Sequence, residues 1–374
     1  MIMVREQLET DIVIVGGGPS GLAAAIAARR KGFRVMVVDG ARPPIEKACG
    51  EGLMPDGVAA LRQLGVALPL DLAIPFRGIR FVEGEASAEA LFPNGCGLGM
   101  RRTNLHETLI RHATEAGVSI LWGAQVKGVN QQEVMLNGST VRSRWVVGAD
   151  GENSRVRKWA GLDQSRSEQI RFGFRRHYQV TPWTDFVEVH WGPKCQIVIT
   201  PVGTGEICAA LLSRNQRLRL EDALPLFPSL SKRLKDAPST SKERGAISVS
   251  RVLKTVTNHR FALLGDASGS VDAITGEGLC LAFQQAVFLA NALEQNDLSQ
   301  YAAAHQRLMK LPTLMAKLMV TVGQYAMLRK RVLRTFVGKP RIFSQLLNTH
   351  VGVAAPESFN AGGVIKLGWQ VLLG

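Results

Sequence analysis

The sequence predicts an α/β chain with three parts: a discontinuous domain built on a parallel sheet, an inserted and mainly antiparallel β domain, and a C-terminal helical region. Three observations predict it. Buried-strand patterns DIVIV, VMVVD, WVVGAD and FALLGD occur at residues 11–15, 35–39, 145–150 and 261–266, with helical stretches between them. Residues 168–213 break into short apolar runs separated by Pro and Gly, as antiparallel strands joined by turns do. From residue 278 to about 347 apolar residues recur at helical spacing. The expected boundaries are 1–70, 101–165 and 251–295 for the first domain, 71–100 and 166–250 for the insert, and 296–374 for the helical region.

The first element carries most of the information. The apolar run Ile12–Val15 enters a glycine cluster in which Gly16, Gly18 and Gly21 form G-x-G-x-x-G. An alanine-rich helix opening at Pro19 and Ser20 follows, then a second strand that stops at Asp39 before Gly40. Such glycines permit a sharp turn, close approach of the backbone to a pyrophosphate, and tight helix packing. The free N–H groups and dipole at the helix start favour phosphate. An acid about 20 residues on can accept hydrogen bonds from a ribose hydroxyl. This is a Rossmann-like dinucleotide-binding unit.

A loop with Arg42, Pro43 and Pro44 leads to KACGEGLMPDG, Lys47 to Gly57, which has too many Gly and Pro residues for a continuous element. Helices are predicted over 56–64 and 103–117, the second capped by Thr103 or Asn104, with Leu105, Leu109 and His112 on one face. Strands are predicted in VSILWG, QVKGVN (which holds Val126), EVMLNG and TVRSRWVVGAD, with Asn137-Gly138 as a hairpin turn. At the end of the last strand, GADGENSRVR places Asp150 and Gly151 where a ligand can approach the backbone. In LLGDASGSVDAITGEGL, a strand delivers Asp266, and Gly276, Glu277, Gly278 and Leu279 open a helix. Amides there can stabilise negative charge on an electron-accepting ring.

Composition narrows the function classes. With 46% apolar and 20% charged residues, the 374-residue chain is globular rather than disordered. No apolar run reaches about 18 residues, so no membrane span is predicted. The N-terminus lacks the form of a secretory signal, and a cytoplasmic location is expected. Five dispersed cysteines without C-x-x-C point to free thiols and to no metal site. The net charge is +14, yet no nucleic-acid-binding signature accompanies it and no nucleic-acid partner is expected. Part of the excess lies in Arg329, Lys330, Arg331, Arg334, Lys339 and Arg341, interleaved with Leu328, Val332, Leu333 and Phe336. Two readings stay open: a helix with a solvated basic face, or peripheral contact with anionic lipid. The apolar tail VIKLGWQVLLG is too short to span a bilayer and is expected to pack on the protein or touch lipid.

GGGPSG, then Arg102 with Leu105 and Leu109, then GADGENSRVR, then GDASG and TGEG resemble, in this order, the flavin-dependent monooxygenase and geranylgeranyl-reductase-like superfamily, which has the para-hydroxybenzoate-hydroxylase type of fold. The resemblance implies FAD, with Gly16, Gly18 and Gly21 on the pyrophosphate, Asp39 on the adenosine ribose, and Arg42 and Arg102 on the dinucleotide. It places Asp150 against FAD and in the nicotinamide interaction, and Asp266 on the ribityl chain. Pro19, Ser20, Gly40, Cys49, Gly50, Val126, Gly151, Gly276, Glu277, Gly278 and Leu279 complete the expected cofactor set. KACGEGL and TGEG resemble the reductase branch most. Ser268 and Ala273 stand where many aromatic hydroxylases carry His and Pro, Ala273 also replaces the proline usual before TGEG, and His106 stands where the arginine motif often has Asp. NAD(P)H is the expected electron donor although no second G-x-G-x-x-G is present.

The resemblance implies an FAD-dependent oxidoreductase acting on a hydrophobic small molecule. Oxygen-dependent hydroxylation is the leading reading, and reduction of carbon–carbon double bonds is the alternative. A halogenase ranks lower: G-E-x-x-x-P is present at Gly50–Pro55, but W-x-W-x-I-P is missing and Arg80 stands where a lysine is sought. A non-catalytic flavin-binding role ranks with it. Cys49, Glu51 and Glu277 are the catalytic candidates. Cys49 is either a thiol activated by Lys47 or a small packing residue. In the inserted sheet, His177, Tyr178, His190 and Trp191 are candidates to face substrate, with His177 and Tyr178 on opposite faces.

Overall fold

Strand Glu6–Val15 lies at the centre of a parallel sheet, flanked by Ser139–Gly148 on one side and Val35–Asp39 on the other. Phe261–Leu263 and Ser119–Trp122 extend it in parallel; Glu133–Leu136 pairs antiparallel with Ser139–Gly148, and Val126–Val129 pairs antiparallel with Glu133–Leu136. Ile12, Val13, Ile14, Val146 and Val147 are fully buried, as continuous apolar strands covered on both faces must be. The computed structural model describes residues 6–130 and 133–351.

Helices α1 (Pro19–Arg30), α2 (Pro55–Gln63), α3 (Arg102–Glu115) and α4 (Arg155–Trp159) belong to this domain. The helices expected at 56–64 and 103–117 are thus present within two residues at each end. A three-stranded sheet of Gly52–Leu53, Gly97–Met100 and Ala73–Phe76 bridges to the insert.

The inserted sheet runs in the order Arg244–Leu253, Ser165–Gln179, Glu206–Ser213, Cys195–Gly203, Phe186–Gly192, Gly78–Glu83, Ala86–Leu91. All its pairs are antiparallel except Phe186–Gly192 with Gly78–Glu83. Strand alternation splits its faces. Ile197, Ile199 and Leu211 pack under the short helices α5 (Leu220–Ala223) and α6 (Pro228–Leu234). Phe81, Val187, Val189 and Trp191 point the other way, toward the C-terminal helices. These are α8 (Leu298–Gln324), α9 (Ala326–Gly338) and α10 (Pro340–His350), reached through α7 (Gly278–Glu294), which packs on α1 and α2. The tail VIKLGWQVLLG lies outside the described residues.

Arg157, 2% exposed, ties two distant segments of the parallel-sheet domain together. It donates to Asp163 Oδ1 (2.8 Å), the Glu152 carbonyl (2.8 Å) and the Ala267 carbonyl (3.1 Å). Arg80 is not directed at the cofactor side. Its neighbours Ile79 and Phe81 line the interior, while Arg80 pairs with Glu89 (2.7 Å) and Glu188 (2.9 Å) on the opposite face. His190 is likewise turned away, onto Glu188 at 2.9 Å. His190, a candidate from sequence to face substrate, therefore does not line the interior, because strand phase puts it on the other face.

Burial alone would raise the pKa of Glu188, but hydrogen bonds from His190, Trp183 and Arg80 outweigh it and hold the carboxylate at about 2, against 4.5 ordinarily. The folded value is depressed, so the stabilisation is complete above about pH 4.5 and is lost as pH falls toward 2. Glu188→Gln should cost of order 3 kcal/mol at neutral pH, and the deficit should shrink across that acidic window. Urea unfolding as a function of pH checks this.

Candidate functional site

A cavity of about 980 Å³ opens at the carboxyl ends of the parallel strands and extends between the inserted sheet and helices α8–α10. Ligands of open parallel sheets bind at that edge because loops and helix N-termini converge there. A Cβ on Gly21 would lie 1.9 Å from the Gly16 carbonyl, so α1 can pack on the loop only with glycine there. A Cβ on Gly18 would meet nothing within 4 Å, which leaves the bare backbone facing open space. Helix α1 starts there with no side-chain cap and no acid in its first turn, so its amides are free for an anion.

Asp39 is held by its own chain: Oδ2 accepts from the Gly17 amide and Oδ1 from the Ala41 amide, both at 2.7 Å. The buried His106 donates Nε2–H to the Gly17 carbonyl at 2.7 Å and so supports the glycine loop from beneath. Burial lowers its pKa and keeps the ring neutral. In the sequence His106 was only a departure from a motif.

The residues expected to bind cofactor line this cavity, except Gly21, Arg42 and Glu277. Gly21 serves packing. Arg42 lies against Gly123. The carboxyl of Glu277 turns away from the cavity and lies 3.6 Å from His350 Nδ1. Burial and the neighbouring Asp56 raise its pKa well above the usual range and favour the protonated form. Asp150 lines the cavity, but its carboxylate caps α4, accepting from Ser154 Oγ (2.5 Å), the Arg155 amide (2.7 Å) and the Val156 amide (3.1 Å). Asp266 pairs with Lys47 at 2.9 Å across the mouth, both side chains half exposed.

That pairing also bears on the two readings of Cys49. The lysine two residues before it is drawn to Asp266, and burial together with the Glu51 carboxylate raises the thiol pKa. Cys49 lines the cavity as a protonated thiol, not an activated thiolate.

The most ordered polar group on the wall is one the sequence did not assemble. Glu51, in left-handed backbone (φ 62°) and 3% exposed, accepts from the Arg102 amide through Oε1 (3.1 Å). Its Oε2 lies 2.6 Å from Nε2 of His177, which is fully buried. Arg175 donates to His177 Nδ1 at 3.2 Å, so the imidazole proton is on Nε2 and is given to Glu51. Ser241 Oγ lies 2.8 Å from the same Nδ1. Glu51, His177 and Cys208 bring ligand atoms within 4.8 Å of one another, a spacing a metal ion could use. Here the direct Glu51–His177 hydrogen bond fills that space, and Arg175, 3.9 Å from Glu51, supplies the positive charge. His177 and Tyr178 do face opposite ways: Tyr178 packs in the α5–α6 core.

Beyond this polar rim the cavity becomes apolar. Phe81 stacks on Trp191 (centroids 4.5 Å apart) and Phe336 on Phe343 (4.6 Å), and Val189 and Met319 add aliphatic wall. From the strands Gly78–Glu83 and Phe186–Gly192 and from α8–α10, His350 is the one titratable side chain in the lining among the described residues.

A family model described as "FAD binding domain" matches residues 9–299. The chain belongs to that family. It is 27% identical to the menaquinone reductase of Mycolicibacterium smegmatis, over 80% of each chain. It is 26% identical to the digeranylgeranylglycerophospholipid reductase of Thermoplasma volcanium, over 80% of this chain and 83% of that one. A flavoprotein/dehydrogenase from Cytophaga hutchinsonii has the same fold, with a TM-score of 0.80 at 18% identity over 92% of this chain and 93% of that one. This protein is therefore an FAD-dependent oxidoreductase.

The bare Gly18 backbone, the uncapped start of α1 and the fixed Asp39 fit the diphosphate and ribose of FAD. Gly18→Val adds side chain only to open space, so the fold should hold while FAD affinity falls by about tenfold or more. Circular dichroism together with titration of the stripped protein with FAD checks both halves.

Proposed function

We propose that this oxidoreductase reduces a carbon–carbon double bond in a long, apolar, isoprenoid-type substrate. The observation that carries the reading is the chamber beyond the polar rim: its wall from Gly78–Glu83, Phe186–Gly192 and α8–α10 is aliphatic and aromatic and, among the described residues, offers no Lys or Arg to a substrate carboxylate or phenolate. The names of the two reductase relatives support the same substrate chemistry.

Bound FAD supplies the two electrons of the reduction. The chain's own residues position it, shield it and handle the proton that must reach the second carbon. The Phe81–Trp191 and Phe336–Phe343 stacks exclude water from the apolar end. Cys49 keeps a proton on Sγ at the wall, and the Glu51 amide donates to that sulfur at 3.4 Å. His177 holds a proton on Nε2 against Glu51, with Arg175 fixing the tautomer. These groups can hold and replace a proton beside the reacting carbon without admitting bulk water.

Turnover should proceed without oxygen. Anaerobic incubation with a menaquinone or geranylgeranyl substrate and NADPH, NADH or dithionite should yield product heavier by two hydrogens. Strict dependence on O2, with an oxygen atom in the product, would establish hydroxylation instead. Glu51→Gln should lower the rate by roughly tenfold to a hundredfold, with FAD content retained. Glu277→Gln, on the far side of the T-G-E-G turn, should leave the rate within about twofold. Steady-state rates against pH, alongside flavin absorbance, check both variants.

A further inference from the structure

The helices that roof the chamber carry a second surface. Between Leu298 and His350 the chain has nine Lys and Arg residues and no Asp or Glu, so this segment alone supplies +9 of the net +14. On α8, Lys310, Leu314, Lys317 and Leu318 fall on one exposed stripe. On α9, Met327, Lys330, Arg331, Arg334 and Val337 form another, with Met327 82% and Val337 55% exposed. Arg329, on the inner side of α9, is buried and paired with Glu83 at 2.9 Å. Lys330, Arg331, Arg334, Lys339 and Arg341 have no carboxylate within ion-pair distance among the described residues.

A merely solvated helix face mixes both signs of charge and keeps large apolar side chains inward. This face has one sign and sets Met and Leu among the cations, the pattern of a surface that meets phosphate headgroups while its apolar side chains enter the acyl boundary. It is also one helix away from the chamber. Met315, Met319 and Val322 of α8, and Val332 and Phe336 of α9, line the interior, and Leu318 both lines it and is 37% exposed.

We propose that the α8–α9 face docks on an anionic lipid bilayer and that the apolar substrate passes from the bilayer into the chamber beside Leu318. The second clause rests on the function proposed above. The first stands on charge and exposure alone.

Flotation of the full, FAD-loaded chain with vesicles tests it. The protein should float with phosphatidylcholine vesicles rich in phosphatidylglycerol, not with pure phosphatidylcholine, and high salt should release it. Reversing Lys330, Arg331 and Arg334 to Glu together should weaken binding by about tenfold or more. Met327→Asp alone should weaken it without changing net flavin content. Neither variant should slow reduction of a detergent-solubilised substrate, whereas both should slow reduction of substrate embedded in vesicles. Equal binding to neutral and anionic vesicles, no effect of the reversals, or preferential transfer to duplex DNA would overturn the docking surface. Vesicle binding without any reductase turnover would sink the functional reading and leave the surface standing.

Discussion

One buried carboxylate holds the two halves of this molecule in register. Glu51 accepts from the start of α3 through Oε1 and meets His177 of the inserted sheet through Oε2, and its carbonyl accepts from the Met100 amide. A carboxylate cannot stay buried without compensation, and Arg175 and His177 provide it from the opposite domain. The inserted sheet therefore cannot shift against the cofactor domain without leaving a charge stranded. The cavity between them keeps its shape for that reason, and the polar rim and apolar depth stay adjacent.

Charge is arranged by depth. Near the mouth, Lys47 and Asp266 are half exposed and paired. Deeper, Asp56, Glu277 and His350 are driven toward neutral forms by burial: the two acids titrate high and the imidazole low. Above this cluster, Gly276 and Gly278 of the T-G-E-G turn line the cavity, with Gly278 opening α7. Oriented amides cost no reorganisation when charge develops on a bound ring, which suits an electron-accepting cofactor.

What was legible in the sequence was local. The strand, glycine turn, helix and acid from Ile12 to Asp39 depend on neighbours within about 20 residues, and spacing alone reveals them. Alternating runs and turn residues likewise marked the insert. The Glu51–His177 contact joins residues 126 apart and the His106–Gly17 contact joins residues 89 apart, and no periodicity encodes either. The direction of the Glu277 side chain was hidden for a different reason. Gly276 adopts φ 69°, which turns the chain so that the flanking glycines face the cavity while the glutamate side chain leaves it. A motif written in letters holds no direction, and here the direction decided the role. The roofing function of α8–α10 was also hidden, because an apolar stripe on a helix says that it covers something and not what.

The central strands of the parallel sheet come from residues 6–15, 139–148 and 261–263. Neighbours so distant along the polypeptide carry a high contact order, and their loop-closure entropy must be met before pairing rewards it. On the ribosome the first strand and its neighbour Val35–Asp39 emerge long before Ser139–Gly148 and Phe261–Leu263, so the complete nucleotide cradle is not an early folding unit. Its glycine loop closes only against Ala149, at the end of a strand that arrives some 130 residues later. A dinucleotide that bridges those segments would then act late in maturation, as a clamp on an assembled sheet instead of a seed for it.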